Sequence, residues 1–334
     1  MVIAFYEIRE EWEREWLRDQ LATHTLVFEP QPLVPETAAR ARDAEAVSVF
    51  IRSRVDRAVL DRLPRLRFVA TRSTGFDHID LAACSERGIQ VSNVPHYGEN
   101  TVAEHTFGLI LSLSRKIFQA NQRTRAGDFS LEGLEGTDLR GKLLGVIGAG
   151  SIGLHVIRIA RAFGMHVVAY DIAPQPLIAE VLGFRYVSLI DLLGAVEVLS
   201  LHAPLTPQTR HMMNRERFAA LRRGVLFVNT ARGALVDTEA LLWALDEGIV
   251  AGAALDVLEG EEQLAEEQSM FHTAESESRL RQLVAGSRLL ERDDVIVTPH
   301  IAWFSREARQ RILATTVENL QAFILGRPQN RLAA

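Results

Sequence analysis

Three side chains, Arg232, Glu261 and His300, have the types and surroundings of catalytic groups. Arg232 and His300 each follow an apolar run typical of a buried strand, and Glu261 lies in DVLEGEE, shortly after a third such run. A guanidinium can bind a carboxylate through two parallel hydrogen bonds, and an imidazole exchanges a proton near neutral pH. A neighbouring carboxylate raises the pKa of an imidazole. Together these residue types predict acid-base chemistry on a molecule that carries a carboxylate.

Each of the three has a simpler interpretation that the residues alone leave open. Arg232 also fits an ordinary surface arginine at a strand end, and most of the ten histidines must be structural or exposed. Glu261 lies in a run of acidic residues that a solvated face would also contain.

A nucleotide-binding signature must help to position these groups. Residues 145–171, GVIGAGSIGLHVIRIARAFGMHVVAYD, combine an apolar run, a glycine-rich turn, a helical pattern and a second apolar run that ends in an acid. Gly148 permits a tight turn, Gly150 lets the backbone approach a pyrophosphate, and Gly153 lets the helix pack closely on the strand. A glycine turn in a nucleotide-free α/β domain is the alternative.

The same signature predicts the cofactor. The amides of Ser151 and Ile152 would face phosphates at the positive end of a helix. Asp171 would accept hydrogen bonds from the adenosine ribose hydroxyls and would repel a 2′-phosphate. We therefore expect NAD rather than NADP.

The 144 residues before this signature predict a second lobe. Short β-branched or aromatic runs alternate there with helical patterns, and no phosphate-binding glycine loop occurs among them. An amphipathic stretch from Asn100 to about Arg125 is long enough to bridge two domains, and a last helix is expected from Ser305 to about Leu325. Because that helix comes after the strands of the nucleotide domain are complete, we expect it to pack against the first lobe.

Composition narrows the class of protein. The chain has 334 residues, 47% hydrophobic content and a formal net charge of −6, with no basic block, which argues against a nucleic-acid partner. Cys84 is the only cysteine, so neither a disulfide framework nor a cysteine metal cluster is expected, and no metal site is predicted. The acidic start lacks the plan of a signal peptide, and no run of 18 apolar residues occurs. A cytoplasmic protein without membrane contact is expected.

At family level the sequence resembles the D-isomer-specific 2-hydroxyacid dehydrogenases from about Phe68 to Leu313. The resemblance rests on STGFDHID, GAGSIG, LHAPLTPQTRHMMN, FVNTARGALVDTEAL, AGAALDVLEGEE and VTPHIAWFSREA, in this order. It implies two Rossmann-like parallel-sheet α/β domains. The NAD-binding domain, residues 101–300, would be inserted into a flavodoxin-like substrate domain made of residues 1–100 and 301–334.

The resemblance also implies roles for individual residues. Arg232 would bind the substrate carboxylate, His300 would be the acid, and Glu261, five residues after Asp256, would be its carboxylate partner. Further cofactor contacts would come from Ala203, Pro204, Thr209, Thr230, Ala231 and Asp256. Substrate contacts in the first lobe would come from Ser73, Thr74, Gly75 and Tyr97.

The expected activity is reversible hydride transfer between NADH and a short 2-keto acid. VPHYGENTVAEHT and TPHIAWFSREA look closest to the D-lactate dehydrogenase branch, which favours pyruvate and D-lactate, and a homodimer is expected. The alternatives are a relative acting on glyoxylate, hydroxypyruvate or a bulkier 2-keto acid, and a non-catalytic NAD-sensing protein similar to a corepressor. The 38 residues between Glu261 and His300 fit a lid, an oligomer contact or a solvated insertion.

Overall fold

The computed structural model describes residues 1–260 and 285–333. Glu261 and most of the polar segment after it therefore lie outside the described residues. The chain divides into two compact units, Met1–Tyr97 with Ser305–Ala334, and Gly98–Phe304. The roles predicted for the two parts of the chain remain predictions.

Thirteen strands and twelve α-helices lie in the described residues. The strands are β1 (Val2–Tyr6), β2 (Thr25–Glu29), β3 (Ala46–Val49), β4 (Phe68–Thr71), β5 (Gln90–Ser92), β6 (Leu143–Ile147), β7 (His166–Tyr170), β8 (Arg185–Tyr186), β9 (Val198–Leu201), β10 (Val225–Asn229), β11 (Val250–Leu255), β12 (Val295–Val297) and β13 (Arg331–Leu332). The helices are α1 (Glu11–Gln20), α2 (Arg57–Leu60), α3 (Leu81–Glu86), α4 (Glu99–Ser114), α5 (Ile117–Arg125), α6 (Ser151–Ala162), α7 (Pro176–Leu182), α8 (Leu189–Ala195), α9 (Arg215–Ala219), α10 (Thr238–Asp246), α11 (285–290) and α12 (Arg306–Ile324).

The first unit is built on a six-stranded sheet in the order β13-β5-β4-β3-β1-β2. Its first five strands are parallel, and β13 pairs antiparallel with β5 at the edge. Successive side chains of a strand point to opposite faces. Ile3 and Phe5 accordingly join the core on the face covered by α1 and α12, while Ala4 and Tyr6 join the other core.

The second unit contains a seven-stranded, entirely parallel sheet in the order β12-β11-β10-β9-β6-β7-β8. The chain runs outward from β6 to β8 and then returns to the other side of β6 at β9. Open α/β sheets bind ligands at the carboxyl ends of the strands beside such a reversal. Helices cover both faces, so the strands are apolar almost throughout, as the apolar runs of the sequence predict. The prediction of two parallel-sheet α/β domains is confirmed.

The stretch Asn100–Arg125 differs from the single helical pattern of the sequence. Helix α4 ends at Ser114, and Lys116 has a left-handed φ of 51° before α5 begins. The carbonyl of Ser114 accepts a hydrogen bond from the amide of Thr137 at 2.7 Å. A neighbouring segment of chain thus uses the end of α4 for its own hydrogen bond, a tertiary contact that periodicity does not reveal.

Gly153 is required by the packing of α6 on its strand. A Cβ at this position would lie 2.1 Å from the carbonyl oxygen of Gly148, a separation that real Cβ atoms do not show. Gly194, on α8, is the opposite case, because a Cβ there would meet no atom within 4 Å. A comparison of the two positions therefore distinguishes a packing requirement at Gly153 from the low helix propensity that glycine has in any helix.

We predict that Gly153→Ala lowers the free energy of unfolding by about 1–3 kcal/mol, because the added methyl must push α6 away from the turn. Gly194→Ala is the matched control and should be neutral or stabilising by about 0.5–1 kcal/mol, since alanine is the better helix former. Urea denaturation followed by circular dichroism measures both. Equal behaviour of the two variants would show that Gly153 has no packing role.

Candidate active site

The glycine-rich turn after β6 lies directly against the chain that follows β9. Gly148 has a φ of 94°, and a Cβ there would lie 2.6 Å from both the carbonyl carbon of His202 and the amide nitrogen of Ala203. Only glycine allows both the backbone angle and this close approach. The tight turn predicted for Gly148 is therefore present, and the absence of a side chain at Gly148 allows this turn to lie against Ala203.

Gly150 and the start of α6 have the properties that a phosphate site needs. Gly150 is the N-cap of α6, and a Cβ added to it would meet no protein atom within 4 Å. The first residues of the helix, Ser151 and Ile152, have amides that the helix itself leaves without acceptors. A diphosphate can therefore approach the backbone at this point without meeting a side chain of residue 150.

Asp171 forms hydrogen bonds that the sequence did not predict. Its Oδ2 accepts from the amide of Ala149, in the glycine turn, at 2.7 Å, and its Oδ1 accepts from Ala173 at 2.8 Å. A carboxylate oxygen has two lone pairs, so each oxygen can accept one further bond. The same side chain thus ties the turn to the end of β7 and retains the acceptor capacity that two ribose hydroxyls require.

The loop after β9 is closed by Thr209. Its hydroxyl donates to the carbonyl of Pro204 at 2.7 Å and accepts from the amide of Thr206 at 2.7 Å. Upstream, His202 Nε2 lies 2.8 Å from Ser200 Oγ, and desolvation lowers the pKa of His202 to about 3, which keeps the ring neutral. Thr209 therefore shapes the loop that carries Ala203 and Pro204.

Asn229 shapes the turn that carries Arg232. Its side-chain oxygen accepts from the amide of Ala231 at 3.0 Å, and its Nδ2 donates to the carbonyl of Arg232 at 2.9 Å. Arg232 itself is exposed, and its Nη1 donates to the carbonyl of Ala231 at 2.8 Å. A buried amide therefore fixes the backbone on both sides of a side chain that extends from the sheet edge.

Gly233 brings this turn against the segment after β11. A Cβ at Gly233 would lie 2.1 Å from both the carbonyl carbon and the oxygen of Leu258. The side chain of the next residue, Glu259, is only 6% exposed and receives hydrogen bonds from Arg210 at 3.2 Å and from the hydroxyl of Thr238 at 3.3 Å. Its Oε1 also lies 2.6 Å from His211 Nε2. The segment is thus held on several sides as far as Gly260, and the predicted catalytic residue Glu261 lies outside the described residues.

Asp256 positions the loop that carries His300. Its carboxylate is 1% exposed and accepts from the Thr298 hydroxyl at 2.5 Å, the Ile301 amide at 2.9 Å and the Ala302 amide at 2.8 Å. Between these partners His300 adopts a φ of 54°, and its amide donates to the carbonyl of Asp256 at 2.9 Å. The resemblance implied a nicotinamide contact for Asp256, and the structure shows in addition that it orders the residues around the predicted acid.

The ionisation of Asp256 follows from the same contacts. Burial by itself raises the pKa of the carboxyl group, but hydrogen bonds from His105, Thr298 and the amides of Ala302 and Ile301 outweigh it. The net pKa of Asp256 therefore lies below its ordinary value, and the group is a carboxylate at neutral pH.

In the first unit, the hydroxyls of the STG turn are committed to protein acceptors. Ser73 Oγ donates to the carbonyl of Gly75 at 2.6 Å, and Thr74 Oγ1 donates to the carbonyl of Val94 at 2.9 Å. Among the described residues, the amides of Thr74 and Gly75 have no hydrogen-bond acceptor. The turn therefore presents backbone N–H groups, which suit an anion.

A hydrogen-bond chain behind this turn has a defined direction. Because the Ser73 proton goes to Gly75, Thr71 Oγ1, at 2.8 Å, must donate to Ser73. His78 Nε2, 3.0 Å from Thr71 Oγ1, must then donate to Thr71. Burial lowers the pKa of His78, which favours the neutral ring in this role.

The predicted residues thus form groups within each unit. The cofactor residues follow β6, β7, β9 and β10, and Arg232, Asp256 and His300 follow the adjacent strands β10, β11 and β12. In the first unit, the carbonyl of Tyr97 accepts a hydrogen bond at 2.6 Å from Nε of Arg311, a residue of α12.

Sequence reasoning missed Asn229, Gly233, Glu259 and His105. For the first two the signal was available, since they flank the TAR of NTARG as an amide and a glycine.

Comparison with known proteins agrees with a nucleotide site at the glycine-rich turn. The NAD binding domain of the D-isomer specific 2-hydroxyacid dehydrogenases matches residues 107–302. D-lactate dehydrogenase of Escherichia coli is 39% identical over 324 residues, covering 96% of each chain. An aromatic 2-oxoacid reductase of Clostridium sporogenes is 38% identical, covering 90% of this chain and 89% of its own.

A solved structure shows similarity to the same family. D-lactate dehydrogenase from Aquifex aeolicus, complexed with NAD and lactic acid, has a TM-score of 0.84 and 36% identity, with coverage of 97% of this chain and 96% of its own. Within the described residues no helix is long and apolar enough to cross a membrane, and the cytoplasmic location stays a prediction.

The matched residues cover more than half of the chain, and relatives near 38% identity cover nearly all of it. The glycine turn, Asp171 and the open approach at Gly150 fit the NAD that this family uses. The protein therefore belongs to the D-isomer specific 2-hydroxyacid dehydrogenases, which are NAD-dependent oxidoreductases.

Proposed function

We propose that this protein reduces a short 2-keto acid to the D-2-hydroxy acid with NADH, reversibly, and that pyruvate is the first candidate. One observation carries the proposal. Arg232 and His300 follow β10 and β12, which lie on either side of β11, the strand that Asp256 follows. A carboxylate-binding cation and a proton donor thus extend from the edge of the NAD domain where α/β enzymes bind their ligands.

The chain's residues would divide the chemistry as follows. The Arg232 guanidinium binds the substrate carboxylate through two hydrogen bonds and polarises the adjacent carbonyl. NADH, when bound, supplies the hydride that adds to the carbonyl carbon. His300 gives its proton to the carbonyl oxygen as that oxygen becomes an alcohol, and it takes the proton back in the reverse direction. Glu261, as an anion beside the imidazole, would favour the protonated form.

Both units would supply further contacts. The amides of Thr74 and Gly75 would donate to the substrate carboxylate, and Tyr97 would lie near the substrate. In the nucleotide domain, Thr230 and Asp256 would hold the nicotinamide carboxamide, while the amides of Ser151 and Ile152 would bind the pyrophosphate.

The size of the keto acid is open because relatives of equal similarity carry different names. At 39% and 38% identity, one is called a D-lactate dehydrogenase and the other an aromatic 2-oxoacid reductase. A substrate preference can change by alteration of a few pocket side chains while overall identity stays constant. A bulkier 2-keto acid is therefore the second candidate.

The decisive experiment is NADH oxidation with a panel of 2-keto acids: glyoxylate, pyruvate, hydroxypyruvate, 2-ketoisocaproate and phenylpyruvate. We expect turnover, with the highest kcat/KM for pyruvate, and formation of the D-isomer. His300→Gln should bind NADH as the wild type does but lose about a hundredfold or more in kcat, because the proton donor is absent.

His166→Gln is the matched control, since His166 is exposed at the start of β7. Comparing purified variants also excludes activity from a host enzyme, because contamination would not follow the His300 substitution. An NAD-sensing protein would bind NADH and leave it unoxidised with every acid, which would overturn the proposal. If kcat/KM is highest for phenylpyruvate, the proposed activity stands and a bulkier 2-keto acid replaces pyruvate as the proposed substrate.

Asp171→Ala should weaken NADH binding by about 2–4 kcal/mol, because a charged acceptor for two ribose hydroxyls is lost. Since the variant also frees the Ala149 amide, the affinity ratio of NADH to NADPH is the sharper readout. We expect this ratio, measured by fluorescence titration, to fall. Glu180→Ala removes an exposed negative charge from the nearby helix α7 and should leave the ratio unchanged. A wild-type preference for NADPH would contradict the ribose assignment.

We propose a homodimer formed through the nucleotide domains. The segment between α4 and β6 exposes large apolar side chains, with Phe129 at 77% and Leu131 at 84% exposure. Light scattering should give a mass of about twice 37.2 kDa. Phe129→Asp with Leu131→Asp should give monomers, whereas Leu177→Asp, at an exposed apolar residue of α7, should not. A wild-type monomer, or a double variant of unchanged mass, would refute this interface.

A further inference from the structure

Two consecutive side chains of α4 contact the residues that follow β12 and β10. His105 Nε2 lies 3.3 Å from the hydroxyl of Thr298 and 3.5 Å from Asp256 Oδ1. The hydroxyl of Thr106 lies 2.9 Å from that of Thr230. The roles assigned above do not use His105, although it belongs to the sequence motif VAEHT.

Proton accounting fixes the direction of the His105 hydrogen bond. A hydroxyl has one proton, and that of Thr298 is donated to Asp256 Oδ1 at 2.5 Å. Towards His105 the Thr298 oxygen can therefore only accept, so His105 Nε2 carries a proton and donates it. The result is a directed chain from His105 through Thr298 to the carboxylate of Asp256, beside a longer direct contact of the same Nε2 with Asp256 Oδ1 at 3.5 Å.

The far end of this chain is the backbone next to His300. The same carboxylate accepts from the amides of Ile301 and Ala302, the two residues that follow His300. Asp256 is 1% exposed, so its orientation is set by its hydrogen-bond partners rather than by solvent. A donor on α4 thus acts on the His300 loop through two intermediate side chains.

Thr106 fixes the position from which His105 acts. Its proton is donated to the carbonyl of Val102 at 2.8 Å, so Thr230 must donate to Thr106. Helix α4 is therefore bonded to the strand ends at two adjacent residues. These two contacts fix the position of the His105 ring relative to the ends of β10 and β12.

We propose that His105 is a positioning residue for the reaction: its Nε2–H orients Thr298 and Asp256, and these hold the backbone around His300 in the geometry for proton transfer. The inference rests on the proposed function for its kinetic part only. A neutral donor at the position of Nε2 is sufficient, so a positive charge on residue 105 is not required.

The test compares two substitutions of similar size. His105→Gln keeps an N–H donor at a similar distance along the side chain, whereas His105→Phe keeps the planar ring and removes the donor. We expect His105→Phe to lower kcat about fivefold, the effect of one neutral hydrogen bond, with unchanged affinity for NADH. His105→Gln should restore at least half of the wild-type kcat.

A double-mutant cycle with Thr298→Val tests the pathway. If His105 acts through the Thr298 hydroxyl rather than through its direct 3.5 Å contact with Asp256, the double variant His105→Phe/Thr298→Val should be no slower than Thr298→Val alone. Additive losses would overturn the inference. It would also be overturned by wild-type kcat in His105→Phe, by equal loss in His105→Gln, or by a parallel loss of NADH affinity.

A second readout does not depend on turnover. In the protein without substrate, hydrogen exchange of the peptide that contains Ile301 and Ala302 should be faster in His105→Phe than in the wild type and in His105→Gln. If no 2-keto acid is reduced by the wild type, the proposed function fails, and exchange still decides whether His105 orders this loop. Unchanged exchange in His105→Phe would refute the inference.

Discussion

The buried carboxylate of Asp256 is the constraint on which the loop that carries the proposed acid His300 depends. Burying a charge is costly unless hydrogen bonds replace its hydration, and this carboxylate obtains them from the Thr298 hydroxyl and the amides of Ile301 and Ala302. Those partners flank His300, so the chain turns at the residue that we propose as the proton donor. The φ of 54° at His300 is part of that turn. The position of the proposed acid thus depends on the residue that follows the neighbouring strand β11.

Contacts between successive loops extend this constraint along the sheet edge. Gly148 packs its turn on the backbone of His202 and Ala203, and Gly233 packs the Arg232 turn on the carbonyl of Leu258. In both places a side chain would separate two loops that carry predicted site residues. Interiors are packed too densely to absorb such a displacement locally. The loops of the second unit therefore derive their positions from one another as well as from the strands that precede them.

The sequence predicts the elements better than it predicts these contacts. The bounds of β1, β6 and β7 coincide with their apolar runs, because a strand covered on both faces needs little more than apolar residues. The break after Ser114 and the edge strand β13 were missed, since each depends on a partner distant in the chain. Among the predicted site residues, Gly148 and Asp171 could be proposed from the sequence because one local motif contains both. His105 and Thr298 are 193 residues apart, and no pattern in one sequence relates them.

Within each unit, the directions of the hydroxyl protons limit what the hydroxyls of the predicted site residues can recognise. Ser73, Thr74 and Thr209 donate to backbone carbonyls, and Thr230 donates to Thr106. Each can therefore only accept a further bond unless it gives up a protein partner. Accepting suits a group such as the amino end of a carboxamide, but an anionic carboxylate needs donors. In the proposed function those donors are N–H groups, and the candidates are the amides of Thr74 and Gly75 and the guanidinium of Arg232. An N–H group cannot accept a hydrogen bond, so binding of the substrate through such donors would favour an acid over the corresponding neutral ketone.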